Sequence, residues 1–218
     1  MTSTETTAIL DRFRRAGALL EGHFRLTSGL HSPGYLQCAL VTQHPREAEA
    51  LGAAIADRVR RLGAQAVLSP ALGGIVIGQE VGRALGVRAI FAERQDGRLM
   101  LRRGFSLQPG EKVLVVEDVV TTGGSTRETI DVAREAGAVV VAAAAIIDRR
   151  EMPNPKSQIP NPKSQDTNSD ALGSGIGNLG FGDIPFHALA EVSLPTYAPE
   201  SCPLCLAGLA VVKPGSRP

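Results

Sequence analysis

A short apolar run, Val113 to Val116, leads into two acids, Glu117 and Asp118, and then, past Val119 and Val120, into a loop of Thr121, Thr122, Gly123, Gly124, Ser125 and Thr126. The apolar residues read as a buried strand with the acids at its end, and the residues after the loop as a helix. A buried strand feeding a helix restricts the chain to layered α/β arrangements. The loop also carries chemistry. A helix N-terminus offers unpaired backbone N–H groups and a partial positive charge, which together hold a phosphate. Gly123 and Gly124 permit close backbone approach, and Thr121, Thr122, Ser125 and Thr126 add hydroxyl donors. Adjacent carboxylates are misplaced for gripping a phosphate but suit ribose hydroxyls or a Mg²⁺-bound sugar. Cradle and acids together point to a phosphorylated ribose. The segment lacks the Gly-Lys-Ser/Thr ending of a Walker A loop and the Gly-x-Gly-x-x-Gly of a dinucleotide site.

The flanking sequence repeats the alternation. Ile9, Leu10, Phe13, Ala16 and Leu20 have helical spacing over residues 5–20, and Gly22 stops the run. Residues 23–43 read as short strands and turns. Ala48, Leu51, Ile55, Val59 and Leu62 mark a second helix after His44 and Pro45, with Gly63 closing it. Ala66 to Leu68 then reads as strand, Ile75 to Leu85 as helix and Val87 to Phe91 as strand. Residues 92–111 read as a charged hairpin or mobile loop, Ser125 to Ala136 as helix and Ala138 to Ile147 as strand. Strand and helix in alternation predict a parallel sheet with right-handed crossovers. Ligands bind such sheets beyond the carboxyl ends of strands. Ala71 to Gly74, Glu117 with Asp118, and Asp148 with Arg149 all fall at such ends, which converge on one site.

Residues 153–158 and 160–165 repeat the same hexapeptide with two prolines per unit. That stretch packs neither as helix nor as central strand, so 151–180 reads as a disordered insertion. The expected division is residues 1–45 as N-terminal helix and hood, 46–150 as α/β core, and 181–218 as a closing strand and tail.

Composition narrows the partners. With 23 basic and 22 acidic residues the net charge is +1, so no basic field points to nucleic acid. Aromatic residues make up 4% with no Trp, which leaves few stacking platforms for single strands. Met1 to Thr7 is polar, unlike a signal peptide or anchor, and no stretch has the apolar length to span a bilayer. Three cysteines do not make a disulfide framework and suggest a reducing cytoplasm.

The strand, paired acids and hydroxyl loop resemble the signature of the type I phosphoribosyltransferases, which bind 5-phosphoribosyl-1-pyrophosphate (PRPP). The N-terminal segment narrows the resemblance: Phe24, Leu26, Ser28, Gly29, Ser32 and Tyr35 are spaced as in the hood of the orotate phosphoribosyltransferases. Phe91 to Arg94, then Leu101 to Phe105, and the tail Cys202 to Cys205 with Lys213 to Arg217 are similar to that family's Thermus-type branch. The resemblance covers about residues 8–150 and 181–217. It implies the type I fold, a parallel sheet flanked by helices with a small hood. The implied reaction is orotate plus PRPP giving orotidine 5′-monophosphate and pyrophosphate in pyrimidine (UMP) biosynthesis, with Mg²⁺ carried by PRPP, in a homodimer.

By family position, PRPP falls to Glu117, Asp118, Val119, Val120, Thr121, Thr122, Gly123, Gly124 and Ser125, and orotate to Thr121 and Arg149. Arg150 is the fallback for Arg149, and Tyr35 either stacks on the base or fills the hood. The mobile loop of the family carries lysines and a histidine. Here it is shorter and holds Arg94, Arg98, Arg102 and Arg103, so Arg94, Arg102 and Arg103 are the catalytic candidates on the pyrophosphate side. Gly73 stands where the family has a pyrophosphate-loop Lys, and Thr27 where it has a Lys before the hood Ser-Gly. A purine-base phosphoribosyltransferase and a PRPP-sensing regulator on the same fold are the alternatives. Cys202 and Cys205 have zinc-knuckle spacing, but structural zinc usually takes four Cys/His ligands. Cys38 is the remaining thiol, with His187 a conceivable helper, and a plain turn is expected. His23, His31 and His44 read as lone histidines.

Overall fold

The structure is a computed structural model in which residues 3–26, 29–150 and 181–213 are described. Helix α1 (Ser3–Arg15) leads into strands β1 (Leu19–Arg25) and β2 (His31–Leu36), a short helix α2 (Cys38–Thr42) and helix α3 (Pro45–Val59). Then follow β3 (Ala66–Pro70), α4 (Gly73–Leu85), β4 (Arg88–Gln95), β5 (Arg98–Leu101), β6 (Lys112–Val120), α5 (Gly124–Glu135) and β7 (Val139–Asp148). Strand β8 (Phe186–Glu191) and helix α6 (Pro203–Leu206) come last. The expected insertion at 151–180 lies outside the described residues, as do Thr27, Ser28 and the tail from Pro214 onward.

Six strands form one sheet in the order β5–β4–β3–β6–β7–β8, parallel except for the β4–β5 pair. Successive strand residues face opposite sides, so β6 sends Val113 and Val115 to one face and Leu114 and Val116 to the other. Ile130, Val132 and Ala133 of α5 cover the first face. Phe13 of α1, Leu51 and Ile55 of α3, and Ile77 and Val81 of α4 cover the second. Burial on both faces explains why the strands read as unbroken apolar runs. Helix α4 lies close on β3: a Cβ at Gly78 would sit 2.1 Å from Ser69 Oγ.

Strands β1 and β2 pair as a separate antiparallel hairpin, the hood. The C-terminal tail wraps it, with bridges from Phe24 to Val212 and from His31 to Tyr197. Three local expectations are corrected. Helix α1 stops before Gly17, whose φ of 63° allows the helix-ending bonds from Gly17 N to Arg14 O and from Ala18 N to Phe13 O. Leu20 is therefore strand, not helix. Residues 38–42 form helix α2 where turns were expected, and they bury Cys38 and Val41. Strand β6 runs on through Val120 because Val119 and Val120 pair with Ile147 and Asp148 of β7. The two acids thus lie inside the strand, not beyond it. Among the described residues, no helix is long and apolar enough to cross a membrane.

Candidate active site

The carboxyl ends of β6 and β7 and the N-terminus of α5 meet the hood around a cleft of about 540 Å³. The hood contributes Leu26, Tyr35, Leu36 and Gln37, and the sheet side contributes Asp118, Val119, Thr121, Thr122, Gly124, Ser125, Glu128 and Arg149.

The paired acids part company because neighbouring residues of a strand face opposite sides. Glu117 lies on the α5 side, where its Oε2 accepts a hydrogen bond from the hydroxyl of the fully buried Thr126. Thr126 is thereby corrected from a phosphate donor to a prop for Glu117. Asp118 lies on the α4 side and lines the cleft, and its Oδ1 accepts the Val119 N–H at 2.8 Å. Burial pushes both carboxyls up, Glu117 to about 7 with Asp118 nearby adding to the rise. A Cβ at Gly73 would stand 2.8 Å from Asp118 Oδ2 and 2.9 Å from Oδ1. Glycine at 73 thus lets α4 begin close against the acid, and a larger residue there would have to push the Asp118 carboxylate aside.

A raised acid makes the free protein pH-sensitive in a definite direction. Between the ordinary 4.5 and about 7, folded Glu117 holds a proton that the unfolded chain has lost. Stability from this group is therefore complete below about 4.5 and is lost as pH rises through about 7, by roughly 2–3 kcal/mol. Glu117→Gln is expected to flatten that decline. Denaturant midpoints from pH 4.5 to 8 test it, and slopes that are parallel in the two proteins would contradict it.

Thr121 and Thr122 are exposed at the turn from β6, and Gly123, at φ 76°, starts α5. Gly123 is buried beneath the loop against the Phe181 ring, and Val120 is buried behind it. Arg149 follows β7, and its N–H donates to Val120 O at 2.7 Å, which fixes it beside the loop. Among the described residues, Arg149 Nε is one of two buried side-chain polar atoms without a hydrogen-bond partner, the other being Ser69 Oγ. Burial also lowers the proton affinity of the Arg149 guanidinium. Its neighbour Arg150 is committed elsewhere. It donates from Nε to Asp148 Oδ1 at 3.0 Å and from Nη2 to Oδ2 at 2.8 Å, and lies 4.4 Å from the Phe186 ring centre.

The three candidate arginines of the loop lie on and just beyond the β4–β5 hairpin, outside the cleft lining. Arg94 pairs with Glu128 at 2.9 Å, Arg103 makes a two-pronged contact with Glu93 at 2.7 and 2.8 Å, and Arg102 is exposed. Gln37 and Glu128 line the cleft without having been expected there. A signal for Glu128 was in the sequence, four residues past Gly124 and so on the same helix face; Gln37 lies past the end of β2, at the start of α2, and no periodicity pointed to it.

Residues 39–168 match the family model for the phosphoribosyl transferase domain. The orotate phosphoribosyltransferase of Desulforamulus reducens is 48% identical over 209 residues, covering 96% of each chain. That of Pelotomaculum thermopropionicum is 46% identical over 217 residues, covering 100% of this chain and 99% of its own. The fold is similar to that of the Mycobacterium tuberculosis H37Rv orotate phosphoribosyltransferase, with a TM-score of 0.62 at 18% identity, covering 86% of this chain and 97% of that one. With a phosphoribosyl transferase domain across most of its core and near-half identity along its whole length, the chain belongs to the orotate phosphoribosyltransferases.

Proposed function

We propose that this chain transfers ribose 5-phosphate from PRPP to orotate, releasing pyrophosphate, and that the cleft between hood and sheet is where it does so. The observation that carries the proposal is Arg149: a guanidinium in the cleft wall whose buried Nε has no partner among the described residues, beside a hydroxyl-lined helix N-terminus. A planar carboxylate on the base satisfies the guanidinium with two parallel hydrogen bonds. The N-terminus of α5, with Thr121, Thr122 and Ser125, takes the 5′-phosphate. Asp118 meets the ribose hydroxyls from the cleft wall, with Glu117 behind Thr126, and Thr121 is shared with the base. Tyr35 closes the hood side over the base.

The chemistry asks mainly for placement. As orotate N1 approaches C1 of the ribose, the bond to pyrophosphate breaks and positive charge develops on the sugar. Holding both partners in line and presenting Asp118 to that charge accounts for what the protein supplies. The donors lining the cleft are carboxylate and hydroxyl oxygens, which fit Mg²⁺. Bound with PRPP, the ion would offset the charge of the departing pyrophosphate. Arg94, Arg102 and Arg103 project from a hairpin at the sheet edge, and we assign them to pyrophosphate across a homodimer. Residues 1–45 with the tail 181–218 then frame the PRPP-binding core 46–150, and the free thiols fit the cytoplasm.

Pyrophosphate release from PRPP and Mg²⁺ is the test. Release that depends on orotate, and is not supported by adenine or xanthine, is the expected result. Turnover with a purine base instead would replace orotate as the acceptor, and PRPP binding without turnover on any base would make the chain a sensor.

A further inference from the structure

We propose that His23, His31, Cys202 and Cys205 form a structural zinc site that locks the C-terminal tail onto the hood. One nitrogen from each histidine and both sulfurs lie within 4.8 Å of one another, the one such group of His, Cys, Asp and Glu side chains among the described residues. Cys202 Sγ and Cys205 Sγ stand 3.6 and 3.7 Å from His23 Nε2, and Cys205 Sγ stands 3.3 Å from His31 Nδ1. A tetrahedral zinc with its usual bond lengths gives sulfur–nitrogen edges of about 3.5 Å. The two nitrogens are 2.9 Å apart, somewhat inside the corresponding edge of about 3.3 Å.

The surroundings fit ligands better than core filling. His23, His31 and Cys202 are buried. His23 Nδ1 lies 2.8 Å from Leu209 O, and donation there leaves Nε2 as a lone pair aimed at the other three groups. Two thiolates and two neutral imidazoles balance the charge of Zn²⁺, so the site, buried except at the exposed Cys205, carries no net charge. Two sulfurs and two nitrogens in a tetrahedral set favour zinc over hard cations. His187 is not a ligand: it sits on β8 near Arg58, and Cys38 is buried among Leu36, Val41 and Leu51.

The site also lies where the tail needs holding. His23 O accepts from Val212 N, and His31 exchanges two backbone hydrogen bonds with Tyr197. A metal there fastens both crossings. The same hairpin carries Tyr35, and its first strand leads into Leu26, both residues of the cleft wall. The four ligands themselves lie outside the cleft lining, so the site stands whatever substrate the cleft takes.

The experiment is metal analysis of the untagged full chain, grown with zinc and dialysed, followed by Co²⁺ exchange. About one zinc per chain is expected, falling about tenfold or more in Cys205→Ser and in His31→Ala. The Co²⁺ form is expected to show intense tetrahedral visible bands with thiolate charge transfer, a signature that needs no variant to fold. Chelator is expected to lower Tm by about 5 °C or more. A metal-free chain with a Cys202–Cys205 disulfide, weak octahedral cobalt bands, or zinc unchanged in Cys205→Ser would each overturn the site.

Discussion

In Arg149→Ala, kcat/KM for orotate is expected to fall by about 100-fold, while KM for PRPP stays within about threefold. The loss corresponds to roughly 2–3 kcal/mol, the scale of a charge-assisted pair taken out of water. Stability should behave in the opposite sense from most buried substitutions. In the free protein the guanidinium is partly desolvated and its Nε has no partner among the described residues, so it already costs the fold something. Tm is therefore expected to hold or to rise slightly. Arg149→Lys restores the charge but not the planar fork and should recover a minor part of the lost activity. Steady-state kinetics varying each substrate in turn decides the matter. Equal losses for orotate and PRPP, or a lowered Tm, would make Arg149 a scaffold residue instead.

Arg149 also shows how far the sequence alone reaches. Its place at the end of an apolar strand was legible, because β7 is a run of small and branched residues ending in Asp148. So were the sheet, the hydroxyl loop and the paired acids, all of which are local patterns of burial and turn chemistry. What separates Arg149 from Arg150 was not legible. Both follow the same strand, and the choice rests on Arg150 reaching Asp148 and the rings of Phe181 and Phe186. Phe181 is 31 positions further along the chain, and no short-range periodicity relates the two. The four-ligand group failed to show for the same reason. Cys202 and Cys205 carry a recognisable spacing, yet their partners His23 and His31 lie 179 and 174 residues away from the sulfurs they approach. Seen singly, each histidine is an ordinary buried residue.

The acids give a second case. Adjacent carboxylates in a sequence suggest joint action, but a strand turns neighbours to opposite faces. Glu117 therefore meets α5 and Asp118 meets α4 and the cleft. Gly73 lies at the start of α4 beside Asp118, where a Cβ would press on the carboxylate. On the function proposed above, the charge for pyrophosphate comes from the arginine-rich hairpin and not from position 73.

Gly123→Ala is expected to damage PRPP binding and the fold together, which sets it apart from Arg149→Ala. At φ 76° an alanine enters a region that costs an L-residue roughly 1–2 kcal/mol. Its Cβ would also lie 2.6 Å from Phe181 Cε1 and 3.2 Å from Cζ. That ring cannot swing aside cheaply. It is buried, packs edge-on against Phe186 at 5.4 Å, and lies under the guanidinium groups of Arg127 and Arg150 at 5.4 and 5.1 Å. Overpacking of this kind adds about 1–3 kcal/mol, so the total is about 2–5 kcal/mol and Tm drops by roughly 5–20 °C. Relief comes most easily by lifting the loop, which pulls Thr121, Thr122 and the first N–H groups of α5 away from the phosphate, and KM for PRPP should rise about tenfold or more. Gly124→Ala is the control, since a Cβ there meets nothing nearer than Thr122 Oγ1 at 3.7 Å and the backbone is already helical. It should keep the wild-type Tm even if it crowds the phosphate. A Gly123→Ala protein with unchanged Tm and unchanged KM for PRPP would show that the loop is not held from below by Phe181, and that the phosphate cradle has been placed on the wrong support.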